Sequence, residues 1–433
     1  MRTTLFVTSC ALLSAGAGCS WTSFDDLEKD TWVSATDKPN GDSTDYGVAI
    51  QRGQRSSNGG KLVVIGAGQA QYTELVYSPN GNSDLAPTAQ KLNTQFGIGN
   101  LDPQPILIAD PTGTNDEVSL VVNSGSQGIA ILTGTGGLVA HQIFGAEQPD
   151  AAAYMVPPPR SDLPGNPTPA QVLVGSTDTL IGGFVANYPN PPVKCKVVDE
   201  AASVVTIRGL GAARVTSTTF DDVVLWGSVG GNAGKLLLYP GSVFNGNPPV
   251  GTCVGGVQQP IAGSAATTTF VPAKGSQIVM VDARHFLAVG HKDLGNADSF
   301  LGFYAISPAG AITAVGLPVT LSDLRSAAVL TVGAKKYVIA GYPTAIVENV
   351  KAGRVLIFPL DMTAGIDATP AAQLYDAQPN DNQQFGRAVA AMPFNGDEVV
   401  AVAADNEIFV YFELGPSASN PPMGSIYGDK RAR

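Results

Sequence analysis

Charged side chains are scarce: Asp, Glu, Lys and Arg make up 14% of the 433 residues, against about 25% in ordinary soluble proteins. Ser, Thr, Asn and Gln must therefore supply much of the polar surface. The charge present sums to −11, and a nucleic-acid partner needs a basic face to meet its phosphates. Nucleic acid is excluded on that ground, and the short basic end at Lys430, Arg431 and Arg433 does not change it. There are three histidines, His141, His285 and His291. None falls in a His-x-x-x-His or His-Glu-x-x-His pattern, so a zinc site of the usual kind has no ligands. No Gly-x-Ser-x-Gly nucleophile elbow occurs. Gly66-Ala67-Gly68 and Gly209-Leu210-Gly211 lack the third glycine and the following helix of a dinucleotide fingerprint, and read as turns. Asp199-Glu200 and Asp221-Asp222 read as solvated loops. Aromatics are 7% of the chain, which gives little sign of a sugar-stacking platform. After the first residues no stretch approaches the roughly 20 apolar residues that span a bilayer.

Gly (50) and Pro (31) are abundant, so turns are frequent and long helices are not expected. The first residues read as an export signal: Arg2, an apolar stretch from Leu5 to Leu13, then Ala15-Gly16-Ala17-Gly18-Cys19-Ser20. Ala15-x-Ala17 suits ordinary cleavage and a secreted or periplasmic product. Gly18-Cys19 resembles a bacterial lipobox, although Gly16 stands where Leu is usual, and lipidation at Cys19 is the favoured reading. Ser20 after it resembles the outer-membrane sorting choice. Cys195 and Cys253 then remain, and in an oxidising compartment two thiols pair by default. Asn190-Pro191-Pro192-Val193 precedes one and Asn247-Pro248-Pro249-Val250 the other, which reads as equivalent loops of adjacent units; two unpaired buried thiols are the alternative. Closing 253 − 195 = 58 residues would stabilise by about 4 kcal/mol on the chain-entropy account.

One unit recurs. Phe385-Gly386-Arg387-Ala388-Val389-Ala390 is followed by the turn Pro393-Phe394-Asn395-Gly396-Asp397. Two strands come next, Glu398–Ala403 and Glu407–Phe412. Short apolar runs rich in Val and Ile, such as those ending at Gly66, Gly175, Gly227, Gly290 and Gly341, suit strands covered on both faces. The fourth unit's opening strand is placed at Gly211–Val215. Buried strands end at positions 66, 123, 175, 227, 290, 341 and 403, a spacing of 51 to 63 residues. A period of about 50 to 60 residues with four short strands each is that of a propeller blade. The expected fold class is all-β, a seven-bladed β-propeller of four-stranded antiparallel blades. Its expected plan is a signal peptide with lipobox at 1–19, a tether at 20–30, the propeller at 31–414 and a tail at 415–433. Trp32-Val33 precedes the first unit and would complete the last blade, closing the ring; the alternative is an aromatic in a linker.

These residues resemble FG-GAP repeats, the units of the integrin alpha-chain propeller and of many bacterial exported proteins. Phe385-Gly386 and Phe96-Gly97 match the Phe-Gly element, and Tyr46-Gly47 nearly does. Ile65-Gly66-Ala67-Gly68 and Ala340-Gly341-Tyr342-Pro343 resemble the Gly-Ala-Pro element. The resemblance implies calcium loops, which need five or more oxygens on one tight loop. Here Asn395-Gly396-Asp397 and Asp110-Pro111-Thr112-Gly113-Thr114-Asn115-Asp116 keep only fragments and read as plain turns. No metal, no cofactor and no catalytic residue is assigned. The expected function is a monomeric, non-catalytic scaffold at the bacterial cell envelope. It is expected to sit in the outer membrane through its lipid anchor and to bind an envelope or extracellular protein, or a polysaccharide. The alternative is a hydrolase or lyase with its site at the central channel.

Overall fold

The structure, a computed structural model, describes residues 193–411 apart from 217–220, 232, 242–256, 292–297, 321, 377–378, 395–396 and 406. Before them it describes the strands that lie between 33 and 184. A leading strand β1 (Val33–Asp37) is followed by a first sheet of β2 (Tyr46–Gly53), β3 (Lys61–Gly66), β4 (Gln71–Val76) and β5 (Ala86–Lys91). The second sheet is β6 (Leu107–Ala109), β7 (Val118–Asn123), β8 (Gly128–Thr133) and β9 (Leu138–Ile143). The third is β10 (Ala151–Met155), β11 (Gln171–Ser176), β12 (Thr179–Phe184) and β13 (Val193–Val197). The fourth is β14 (Val205–Ala213), β15 (Asp222–Val229), β16 (Ala233–Tyr239) and, after β17 (Val257–Gln258), β18 (Ala266–Thr268). The fifth is β19 (Gln277–Met280), β20 (His285–His291), β21 (Ser299–Ile306) and β22 (Ile312–Ala314).

The sixth sheet holds β23 (Ser326–Val332), β24 (Lys335–Tyr342) and, after the small hairpin β25 (Ile346–Val347) and β26 (Val350–Lys351), β27 (Arg354–Asp361). Its outer edge is shared by β28 (Gly365–Ile366) and β29 (Ala372–Leu374). The last sheet is β30 (Ala388–Phe394), β31 (Asp397–Ala404) and β32 (Glu407–Tyr411), and its fourth strand is β1. Val33 pairs with Tyr411 and Asp37 with Glu407, antiparallel. β17 leaves the fourth sheet and adds a parallel fifth strand to the third, Val257 beside Lys196.

Why the middle strands are apolar without a break follows from the seams between sheets. In β15, Val223 and Leu225 join the cluster shared with the third sheet, while Val224 and Trp226 join that shared with the fifth. The same division holds for Phe286 and Ala288 against Leu287 and Val289 in β20, and for Tyr337 and Ile339 against Val338 and Ala340 in β24. Period-2 geometry sends alternate side chains to opposite faces, and both faces here meet a neighbouring sheet. Outer strands differ: in β13, Lys194 and Lys196 are exposed while Cys195 and Val197 are fully buried.

First strands crowd together. β2, β6, β10, β14, β19, β23 and β30 each touch the next, and β30 touches β2. Small residues permit it. A Cβ on Gly211 of β14 would lie 2.7 Å from Ile278 of β19, and one on Gly175 of the second strand β11 would lie 2.6 Å from Ile207 of β14. Gly209 and Gly211 therefore lie within a strand and are not turns, as the sequence had suggested. The fourth unit's first strand accordingly runs Val205–Ala213 and not Gly211–Val215, with a register shift between Ile207 and Gly209. Cys195 likewise sits in strand β13 and not in a loop; its Lys-Cys-Lys-Val alternation is the stronger signal. The turn expected at Pro393–Asp397 is narrower, because Phe394 pairs with Asp397 and leaves only two residues between them. That is the loop length Asn-Gly favours.

Candidate binding face

Each first strand begins at the end of the sheets where the chain crosses from one sheet to the next; the loops joining second to third strands lie at that same end. Among the described residues, three of these crossovers carry a carboxylate held by hydrogen bonds. Asp199, 1% exposed, accepts hydrogen bonds from the backbone N–H of Ala201 (3.0 Å) and Ser203 (2.8 Å), and Lys235 Nζ lies 2.6 Å away. Burial pushes the Asp199 carboxyl up, but the Lys235 bond and charge and the two backbone donors outweigh it, holding the group below the usual range. Tyr239 O–H donates to Val198 O at 2.8 Å, one residue before it. Asp323 accepts from Arg325 Nε at 2.9 Å and from the Thr344 hydroxyl. Asp376, buried, accepts from Gln383. In the last sheet Arg387 lies 3.6 Å from Asp405.

These groups fasten crossovers to the sheets on either side. Asp199 was expected in a solvated loop, and so was Asp222 at the opposite end. Both are buried instead, Asp222 accepting from Thr216 N (2.7 Å), Thr216 Oγ1 (2.8 Å) and Gly241 N (3.0 Å). Buried carboxylates persist where donors replace the lost water; here Ala201, Ser203 and Thr216 donate from nearby in the chain, and Lys235 and Gly241 from farther along it. Asp221 and Glu200 do remain nearer the surface, paired to Arg214 and to Gly263 N.

Because the fold holds Asp199 ionised, the stability it contributes is full above the ordinary carboxylate value of about 3.9. It is lost as pH falls through the lower folded value. Lys235→Met leaves the carboxylate buried without its cation and is expected to cost about 3 kcal/mol. Denaturant melts at pH 7 and at pH 3 check this, the variant's deficit shrinking at the lower pH. An equal deficit at both would refute the role given to the ionised pair.

The histidines stay apart. His141 lies in β9, while His285 and His291 end β20; His285 Nδ1 is 2.8 Å from Asp282 Oδ2, and its ring stacks on Phe303. Among the described residues no group of three His, Cys, Asp or Glu is placed to hold a metal. Ser276 Oγ, buried where β19 begins, has no hydrogen-bond partner, so no described base activates it. Cys253 and Cys19 lie outside the described residues, as do most of the two fragmentary calcium-like loops. Cys195 is fully buried.

The crossover end also presents apolar surface. Ile346 on the β25–β26 hairpin is 72% exposed and Val204, just before β14, is 52% exposed. Glu348 and Asn349 at the hairpin tip both take positive φ, which suits a two-residue turn whose twist matches the strands.

The chain is similar to the Neurospora crassa Pan2 WD40 domain, at 11% identity over 90% of this chain and 96% of that one, with a TM-score of 0.51. Identity this low speaks to architecture alone, and the architecture is a β-propeller. No family model and no curated protein matches the sequence.

Proposed function

We propose that the chain is a seven-bladed propeller of the FG-GAP kind, anchored at the outer membrane through Cys19, that binds an envelope protein or polysaccharide without catalysis. The observation that carries this reading is how the crossover-end carboxylates are used. Asp199, Asp323 and Asp376 are each taken up in fastening a crossover, in separate seams, and the same end offers exposed Ile346 and Val204 for contact. Seven sheets of four or five strands among the described residues, with first strands touching in cyclic order, support the blade number. The meeting of Gly386 with Gly341 across a seam gives the Phe-Gly and Gly-Ala-Pro-like elements a shared physical purpose.

Orientation follows from the anchor. Val33 and Tyr411 are register partners at the end opposite the crossovers. Cys19 stands 33 − 19 = 14 residues before Val33, a reach of at most about 50 Å. A lipid there would hold that end toward the membrane and turn the crossover end outward. The Cys195–Cys253 disulfide is part of the same reading. Val257 pairs beside Lys196, so Cys253 is four residues from a segment already bonded to the strand that bears Cys195.

Intact-mass measurement and fractionation of the mature protein test both covalent features, with affinity capture from envelope extracts testing the binding. The expected mass carries acyl chains and lacks two thiol hydrogens. Cys19→Ala is expected to leave the membrane fraction while still capturing the same partner. A membrane-bound Cys19→Ala protein would overturn the anchor, two free thiols the disulfide, and the absence of any specific partner the scaffold role.

A further inference from the structure

Where the fifth and sixth sheets meet at the crossover end, two cross-strand neighbours each carry a buried N–H or O–H without a hydrogen-bond partner. Tyr342 is 2% exposed and its hydroxyl has no partner; the Nε of Arg354, also buried, has none either. The two residues are register partners across β24 and β27, and cross-strand partners share a face of the sheet. Tyr342 belongs to the core cluster of that seam. Burial pushes its hydroxyl well above the ordinary tyrosine range, and the Arg354 charge pulls part of the way back, so the guanidinium lies within electrostatic reach of the oxygen.

The obvious acceptor nearby is already engaged: Asp323 takes Arg325 and Thr344. A buried donor left unbonded is destabilising, and native folds keep few of them without a reason. The hairpin β25–β26 runs from Tyr342 to Arg354 and is drawn closed by Gly353 N donating to Ala345 O at 2.9 Å. Both donors thus lie at the base of the hairpin that carries exposed Ile346, and half-buried Arg354 gives the corner access from outside.

We propose that Tyr342 and Arg354 form a binding site for a carboxylate. A carboxylate presents two acceptor oxygens side by side, one for the phenol O–H and one for the guanidinium N–H, with a charge to match the cation. The carboxylate is that of a small free acid or of a partner's chain end. The site deepens the scaffold reading by naming the group recognised at the outward end, and it rests on that reading only for its physiological source.

The test is titration of the full mature chain with sodium acetate, and separately with a tripeptide bearing a free C-terminal carboxylate and with its amide. Melting temperature and calorimetric heat are read at ionic strength held constant with chloride. A saturable response to carboxylate and none to chloride is expected. Tyr342→Phe and Arg354→Gln are each expected to weaken it by about tenfold or more. Tyr342→Phe deletes one oxygen and keeps the test open should Arg354→Gln fail to fold; its own melting temperature is expected to match or exceed the wild type, since an unbonded buried hydroxyl is removed. Preference for the free-acid tripeptide over acetate assigns the carboxylate to a partner's terminus, and equal response assigns it to a small acid. No saturable response, unchanged binding in both variants, or tighter binding of inorganic phosphate overturns the proposal. Intact carboxylate binding with failed partner capture would instead sink the scaffold reading and leave the site.

Discussion

A chain lacking residues through Asp37 is expected to melt about 10 °C lower and to self-associate. The five residues of β1 pair in full register with β32, from Val33 with Tyr411 to Asp37 with Glu407. At about 1 kcal/mol for each net backbone hydrogen bond, their loss removes about 5 kcal/mol, which is about 10 °C at roughly 2 °C per kcal/mol in a domain this large. The second effect is kinetic and concentration-dependent. Without β1 the last sheet keeps only β30, β31 and β32, and an open edge at β32 offers unpaired N–H and C=O groups to another chain. Thermal melts and sizing over a range of concentrations separate the two effects. A synthetic peptide spanning residues 31–40 supplied in trans is expected to restore the melting temperature, as an added strand does elsewhere. If the truncated chain melts with the full-length protein and stays monomeric, β1 is an appendage and the ring is closed by other means.

What the sequence discloses here depends on how many faces of a strand are covered. β15, β20, β24 and β31 are buried against sheets on both sides, so each is an unbroken apolar run and could be found by eye. Outer strands pack on one face and are short: β13 shows its alternation over only Lys194-Cys195-Lys196-Val197, and β28 has two residues. β14 was misplaced because Gly209 and Gly211 look like punctuation, when the approach of β19 is what demands them. Buried carboxylates escape notice for a different reason. Lys235 is 36 residues from Asp199 and Gly241 is 19 from Asp222, so neither partnership exists until the sheets are laid side by side. The pairing of Tyr342 with Arg354 is a property of register, and the hairpin inserted between them moves them apart in sequence.

Gly341→Ala is expected to cost about 3 kcal/mol or more, at the upper end of what overpacking does. Gly341 is the last residue but one of the buried strand of the sixth sheet, and a Cβ there would lie 1.9 Å from the carbonyl oxygen of Gly386 and 2.9 Å from Ser326 Oγ. Backbone conformation is not the obstacle, since Gly341 is absent from the positive-φ glycines; space is. Neither neighbour yields easily. Gly386 takes φ +89° and donates its N–H to Ala403 O at 2.9 Å, so moving its carbonyl pulls on the last sheet. Ser326 Oγ donates to that same carbonyl at 3.3 Å. The double variant Gly341→Ala, Ser326→Ala removes the hydroxyl contact and leaves the carbonyl contact, so it is expected to recover little. Gly230→Ala is the control, with φ +59° and nothing within 4 Å of its Cβ position; it isolates the conformational cost of about 1–2 kcal/mol. A Cβ on Gly47 would lie 3.1 Å from the Ala403 Cβ across the seam between the last sheet and the first. The aromatic-Gly step thus recurs where one sheet's opening presses on the end of its neighbour's buried strand. Denaturant melts of the three variants check this. A Gly341→Ala deficit no larger than that of Gly230→Ala would mean the seam gives way freely, and the recurrence would then need another cause.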